Sequence, residues 1–388
     1  MVKTGLEVLL TERIDLLKEK RVGVIANPSS VNAELDHIVD LLYRHPDIRL
    51  TTIMGPQHGA RGETQDNMIE WEDYRDPVTG LPVYSLYGKA RKPTPHMLKE
   101  VDTLVFDVQD VGARYYTFVY TMALAMEACG EQGLEFVVLD RPNPIGGVQV
   151  EGPVLDPVFR SFVGLFPLAI RHGLTVGELA RYFSGECGVK CHLEVVPMKG
   201  WHRDMFFEDT ELPWIPPSPN IPTVESAVVY PGLCLLEGTN VSEGRGTTRP
   251  FEMSGAPWVN PDHLAKKLNC MQLPGVKFRP IHYIPTFHKW NGSMIGGVHI
   301  HVLDRHSFRP FSTGLALTMA YREQGPGEFQ WKEPPDEYEY DKLPIDILLG
   351  NGKIREEIEQ GESLEQIEAG WQEELEAFGR KRQRYLLY

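Results

Sequence analysis

Apolar residues in this chain come first as short unbroken runs. Residues 21–27 (RVGVIAN), 50–54, 103–107 (TLVFD) and 136–140 (FVVLD) each read as a strand buried on both faces. Between them the period changes. Ile38, Leu41 and Leu42 share a helical face within 36–43, and a long helical pattern runs from Thr117 to about Glu131. Strands alternating with helices predict an α/β fold: a mostly parallel sheet with helices on both faces.

The pattern continues with Thr175-Val-Gly-Glu178, a capping box that opens a helix to about Phe183, and with a strand over 193–197. Residues 214–222 (WIPPSPNIP) are too proline-rich for a helix. The character then changes near residue 230. Beyond it, 262–268 and 311–322 read as helices, and 277–283 and 296–303 as strands. Residues 324–340 are acidic, aromatic and proline-bearing, and read as an irregular surface excursion. Ser363 and Gln366 cap a last amphipathic helix with Ile367, Trp371, Leu375 and Phe378 on one side. Two domains are expected, 1–230 and 231–388.

Where the strands stop matters more than where they run. They end at Asn27-Pro28, at Met54-Gly-Pro-Gln-His58, at Asp107-Val-Gln-Asp110 and at Asp140-Arg-Pro-Asn143. Ligands of open α/β sheets bind outside the carboxyl ends of the strands, so chemistry-bearing side chains should gather along that edge. A second polar stretch, Glu237-Gly-Thr-Asn-Val-Ser-Glu-Gly-Arg-Gly-Thr-Thr-Arg249, fits neither period. Apolar flanks anchor its start, and an anchored polar loop beyond the domain boundary suits a cleft between domains.

Charge and cysteine usage narrow the partners. A net charge of −15 argues against nucleic acid or an anionic membrane as the main partner. No run is long and apolar enough to span a bilayer, and the first residues lack the pattern of a signal peptide, so a cytoplasmic protein is expected. The five cysteines are scattered and odd in number, which is not a disulfide framework. Cys187, Cys191 and His192 lack a second ligand pair, and His299-x-His301 has no accompanying carboxylate motif, so no metal is expected. No G-x-G-x-x-G follows the first strand and no P-loop occurs, which removes the usual support for a nucleotide cofactor.

Three further constellations could carry chemistry. Residues 54–68 offer Gln57, His58, Arg61, Glu63 and Asp66 after a strand end. Asp107 and Gln109 sit at the next one, and a buried Asp107 needs a partner, for which Arg114 is a candidate. Arg141 and Asn143 supply a fork and an amide suited to a sugar acid or its acetamido group. Each set has a plain structural alternative. A pocket rich in carboxylates, arginines, amides and hydroxyls suits glycoside cleavage, which needs an acid and a second group to stabilise charge or activate water.

Across nearly the whole chain, a set of motifs resembles the NamZ (YbbC-like) exo-β-N-acetylmuramidases. They are GPQHGARG (55–62), LPVYSLYG (81–88), RKPTPHML (91–98), VFDVQDVGARYYT (105–117), VVLDRPNPIGG (137–147), VEGP (150–153), RHGLTVGELA (171–180), PPSPNIPT (216–223), YPGLCLLEGTNVSEGRGTTRPFE (230–252) and RYLLY (384–388). The resemblance implies a Rossmann-like N-terminal domain, a smaller α+β C-terminal domain and a site between them. It also implies release of N-acetylmuramic acid from the non-reducing end of peptidoglycan fragments, without a cofactor. Many members carry Glu where this chain has Gln57, and an amide cannot donate a proton as a carboxylic acid does.

The resulting expectation is a glycosidase acting on a sugar or muropeptide. Glu243 or Glu237 is the leading acid/base candidate, with Glu63 and His58 in support. Arg61, Arg114, Arg141 and Arg245 are candidates to hold the lactyl carboxylate. Asn143, Asn220 and Asn240 are candidates for hydroxyl or acetamido groups, and Gln57, Asp107, Gln109, Tyr116 and Thr247 for further substrate contacts. The alternatives that Gln57 motivates are a non-catalytic binder of muropeptides or acidic sugars, and a hydrolase of a different acidic sugar. The pattern does not speak to oligomeric state or to the stereochemical outcome.

Overall fold

The structure, a computed structural model, describes residues 1–65 and 68–388; Asp66 lies outside the described residues. The strands, in chain order, are β1 (Arg21–Ala26), β2 (Arg49–Gly55), β3 (Tyr74–Arg75), β4 (Pro82–Ser85), β5 (Thr103–Asp107) and β6 (Glu135–Leu139). They continue with β7 (Glu151–Val154), β8 (Ala169–Arg171), β9 (His192–Val196), β10 (Met253–Ala256), β11 (Val276–Tyr283) and β12 (Ile295–Val302). Among the described residues, seven of these form one sheet in the order β3-β4-β2-β1-β5-β6-β9. Every neighbouring pair is parallel except β3 with β4. Ile25 of β1 lies between Met54 of β2 and Phe106 of β5, and all three are buried. That is why these runs are continuously apolar rather than alternating.

The predicted mixed α/β class is therefore what the chain adopts. From β1 the chain moves to β2 and β4 on one side, then returns to β5 on the other. The crevice where the order reverses lies at the carboxyl ends of β1 and β5. The antiparallel sheet β10-β12-β11 belongs to the second half of the chain.

Some elements depart from the sequence reading. A helix over Gly5–Glu12 precedes β1, its first turn closed by the Thr4 amide donating to Glu7 at 2.7 Å. Helix Val224–Leu233 runs across the boundary placed at residue 230 and carries Pro231 inside it. This helix touches helix Pro310–Gln324 backbone to backbone: a Cβ on Gly232 would stand 1.8 Å from the Pro310 carbonyl oxygen. Only glycine permits that approach. The last amphipathic helix is broken into Leu364–Ala369 and Gln372–Arg382. Trp371 sits at the break and packs its ring on Phe311, with centroids 5.4 Å apart.

The end of the described chain returns to the parallel sheet. Buried Asp140, just past β6, accepts from the Gly177 amide (2.7 Å), Thr175 Oγ1 (2.8 Å) and Tyr388 Oη (2.7 Å). Arg382 donates to the carbonyls of Gly147, Val148 and Gly173 at 2.7–3.0 Å. No helix among the described residues is long and apolar enough to cross a membrane.

Candidate active site

The loop after β2 and the loop after helix Val224–Leu233 meet across one open cleft. Gln57 and His58 face it from the first loop, Glu237 and Arg245 from the second. Proline fixes the chain between them. Asn27, at the end of β1, donates to the Pro217 carbonyl at 2.9 Å and holds the 214–222 segment over the strand ends. That segment then delivers Ser218 and Asn220 to the cleft. Tyr115, Tyr116, Tyr230 and Phe251 form its aromatic floor, ring against ring at 4.8–5.8 Å.

The first loop is shaped by its glycines. Gly59 has φ +91°, and a Cβ there would lie 1.8 Å from Glu63 Oε2. Beside it His58 is itself left-handed, at φ +71°, and its Nδ1 lies 3.1 Å from the Thr64 carbonyl oxygen. The Gln57 amide oxygen accepts from Thr117 Oγ1 at 3.3 Å.

In the second loop, Arg245 is the pivot. Its guanidinium pairs with Glu237 at 2.6 Å and with Glu243 at 3.4 Å, and packs 5.1 Å from the Phe251 ring. Glu237 faces the cleft; burial pushes its pKa up, and Arg245 opposes that. Glu243 is fully buried behind the wall. Burial alone would push its pKa up, but Lys289 at 2.8 Å, His288 at 3.3 Å and Arg245 outweigh it and hold it well below the ordinary range. A carboxylate so surrounded is an anion that fixes Arg245 in place, not a proton donor.

Residues 324–340 are not the plain surface excursion read from their composition. The segment pairs with the second loop through Thr239 and Trp331, and then delivers Asp336 and Glu337 into the cleft. Asp336 pairs with Lys332 at 2.5 Å, while Glu337 accepts from Tyr87 Oη at 3.0 Å. Sequence reasoning missed both carboxyl groups, together with Ser218. The signal lies in the cluster of acidic and aromatic residues between prolines, which by composition reads only as an irregular surface excursion.

Other candidates are drawn elsewhere. Asp107 takes Arg141 as its partner, at 2.5 and 2.9 Å, in place of the expected Arg114. Arg114 is fully buried and donates to the carbonyls of Pro153, Leu168 and Leu348 at 2.8–2.9 Å. Arg141 and Gln109 line a small separate hollow against Trp214. Asn143 donates to the Leu174 carbonyl at 3.0 Å, and Asn240 to the Glu328 carbonyl at 2.8 Å. Arg61 is tied to Asp40 and Asp76 at 2.9 and 3.2 Å. Glu63 is exposed and takes the Tyr74 hydroxyl and the Arg61 amide. Thr247 Oγ1 donates to the Gly244 carbonyl within its own turn, at 2.6 Å. Each of these polar groups is spent on backbone or on a structural ion pair away from the cleft. Gln57, His58, Tyr116, Asn220, Glu237 and Arg245 are the ones brought together.

His299 and His301 stand on β12 with ring centroids 4.2 Å apart, and the Arg279 guanidinium lies between them at 3.1 and 3.4 Å. A fixed cation there opposes a second one. Among the described residues, no group of three or more His, Cys, Asp or Glu side chains is placed to hold a metal ion.

Comparison with known proteins agrees along the full length. Residues 22–225 match the family model described as exo-beta-N-acetylmuramidase NamZ, N-terminal, and residues 228–388 match its C-terminal counterpart. The peptidoglycan beta-N-acetylmuramidase NamZ of Bacillus subtilis (strain 168) is 50% identical over 387 residues, spanning 100% of this chain and 91% of that protein. Two crystal structures of DUF1343 family proteins from Bacteroides fragilis NCTC 9343 share the fold. One has a TM-score of 0.90 at 40% identity and the other 0.78 at 31%, each covering 100% of this chain and 99% of its own. With both halves matched and a relative this similar, the chain belongs to the NamZ exo-beta-N-acetylmuramidase family.

Proposed function

We propose that this protein is a glycoside hydrolase that releases N-acetylmuramic acid from the non-reducing end of peptidoglycan fragments. The observation that carries this reading, beside family membership, is the meeting of Gln57 and His58 with Glu237 and Arg245 across one cleft. Arg245 and His58 are the cationic and hydrogen-bonding groups for the lactyl carboxylate. Asn220, Ser218 and the Gln57 amide bind ring hydroxyls and the acetamido group, and the tyrosine floor packs under the sugar. Glu237 is the carboxylate at the reaction centre, where it receives a proton from water or stabilises the oxocarbenium-like transition state. Glu243 acts through Arg245 as a positioning residue.

The binding-only alternative rests on the amide at position 57. Glu237, Asp336 and Glu337 supply carboxyl groups in the same cleft, so the absence of one at residue 57 does not leave the site without acid chemistry. We further propose that the protein works in a reducing compartment on imported or recycled muropeptide sugars, a reading supported by its five unpaired cysteines. Cell fractionation tests that point.

Incubation with a chromogenic β-N-acetylmuramide tests the activity. Release of the chromophore from the muramide, and little from the matching glucosaminide, is the expected result. No release from either overturns the proposal.

A further inference from the structure

Cleavage of a glycosidic bond needs a carboxyl group that is still protonated when substrate binds. Among the described residues three carboxyl groups line the cleft, and their partners differ. Glu237 faces Arg245 at 2.6 Å and Asp336 faces Lys332 at 2.5 Å. Glu337 has no ion pair among the described residues; its partner is the Tyr87 hydroxyl, at 3.0 Å. A phenol donating to one oxygen leaves the other free to carry a proton toward the cleft.

The backbone that presents Glu337 supports a functional placement. Asp336 and Glu339 exchange both backbone hydrogen bonds, at 2.8 and 3.0 Å, around a two-residue turn. Both central residues have positive φ, +42° at Glu337 and +69° at Tyr338. Turns of that kind favour Asn-Gly, and side chains such as Glu and Tyr are strained there. The turn is nevertheless clamped to the first half of the chain. Tyr338 Oη donates to Glu70 at 2.7 Å, and the Arg91 guanidinium lies 3.4 Å from the Tyr338 ring centroid.

We propose that Glu337 is the proton donor to the departing glycosidic oxygen. This assignment rests on the glycosidase reading above. The proton passes from Glu337 to the glycosidic oxygen as the bond from C1 breaks, and the aglycone leaves as an alcohol. A water oxygen adds to C1, and the proton it sheds passes to Glu237 and, through solvent, restores Glu337. One water is consumed for each bond cleaved.

The groups facing Glu337 are Tyr87, Glu237, Arg91 and its neighbours Asp336 and Tyr338. Burial pushes its pKa up to about 7; the Tyr87 hydrogen bond and Arg91 pull it down, and the charges of Asp336 and Glu237 push it up. An acid must be protonated to act, so activity should fall as pH rises through about 7.

The test compares Glu337→Gln with wild type on an unactivated muramyl disaccharide and on the 4-nitrophenyl muramide. Loss of a general acid should lower kcat on the disaccharide by about 10²–10⁴-fold. The nitrophenolate leaves with little protonation, so that substrate should lose less than about tenfold, and the basic limb of the pH profile should vanish. Tyr87→Phe, which keeps the packing, should move the basic limb to higher pH and supplies the readout if Glu337→Gln does not fold. Equal losses on both substrates, or a basic limb unmoved in Tyr87→Phe, overturn the assignment while the glycosidase activity stands. A wild-type chain inert on both substrates overturns the activity and the assignment together.

Discussion

Lys289→Met should destabilise the fold by about 3 kcal/mol, at the lower end of the range for removing one partner of a buried ion pair. The ammonium donates to the carbonyls of Leu236 (2.8 Å) and Val241 (3.0 Å) and to Glu243 Oε2 (2.8 Å). Methionine fills the volume and supplies none of the three donors. Glu243 has no exposed surface, so among the described residues its charge is left with Arg245 and His288. Those two remaining partners place the loss at the low end. Urea denaturation should show a lower midpoint with an unchanged slope, and Glu243→Gln in the same background should recover part of the loss. The pH dependence carries the same signature. A carboxylate held below its ordinary value of 4.5 contributes stability above that value and loses it as pH falls through the depressed one. The acid arm of the stability curve should therefore flatten in Lys289→Met. A loss under about 1 kcal/mol, with the acid arm unchanged, would refute the claim that this lysine holds a buried anion.

Two further outcomes follow from the loops. Arg245→Lys removes the guanidinium whose Nη1 meets both Glu237 and Glu243 and whose plane packs near Phe251, and kcat/KM should fall about 10²-fold, equivalent to roughly 2.7 kcal/mol; a change below about threefold would mean that the guanidinium is not needed for turnover. Gly59→Ala forces a Cβ onto Glu63 at φ +91° and should cost roughly 1–3 kcal/mol in denaturation. Adding Glu63→Ala relieves the contact but not the backbone strain, so complete recovery in the double variant would refute the role of φ.

The sheet is legible in the sequence because strands buried on both faces need unbroken apolar runs, as in RVGVIA and TLVFD. The convergence of residues 57–58 with 237–245 is legible in part, since strand ends and a polar loop beyond the expected domain boundary both point toward a cleft. The destinations of individual polar side chains are not. Arg114 finds the Leu348 carbonyl 234 residues away, and no local pattern announces that. Glu337 is hidden for a different reason. Its turn lacks the Asn-Gly signal that normally marks such a conformation, so the segment reads as irregular. The helix across residue 230 is obscured by Pro231, which ordinarily ends a helix and is tolerated here inside a tightly packed one.

The bond from Tyr388 to Asp140 spans 248 positions of sequence. On a ribosome, the aspartate emerges long before the phenol that completes its set of donors. Arg382, which closes three loop carbonyls, comes almost as late. The parallel sheet can collapse early, but its final locking waits until residues 382–388 have been made. A nascent chain stalled before residue 382 should therefore remain open to proteases around residues 140–175, long after its strands have been made.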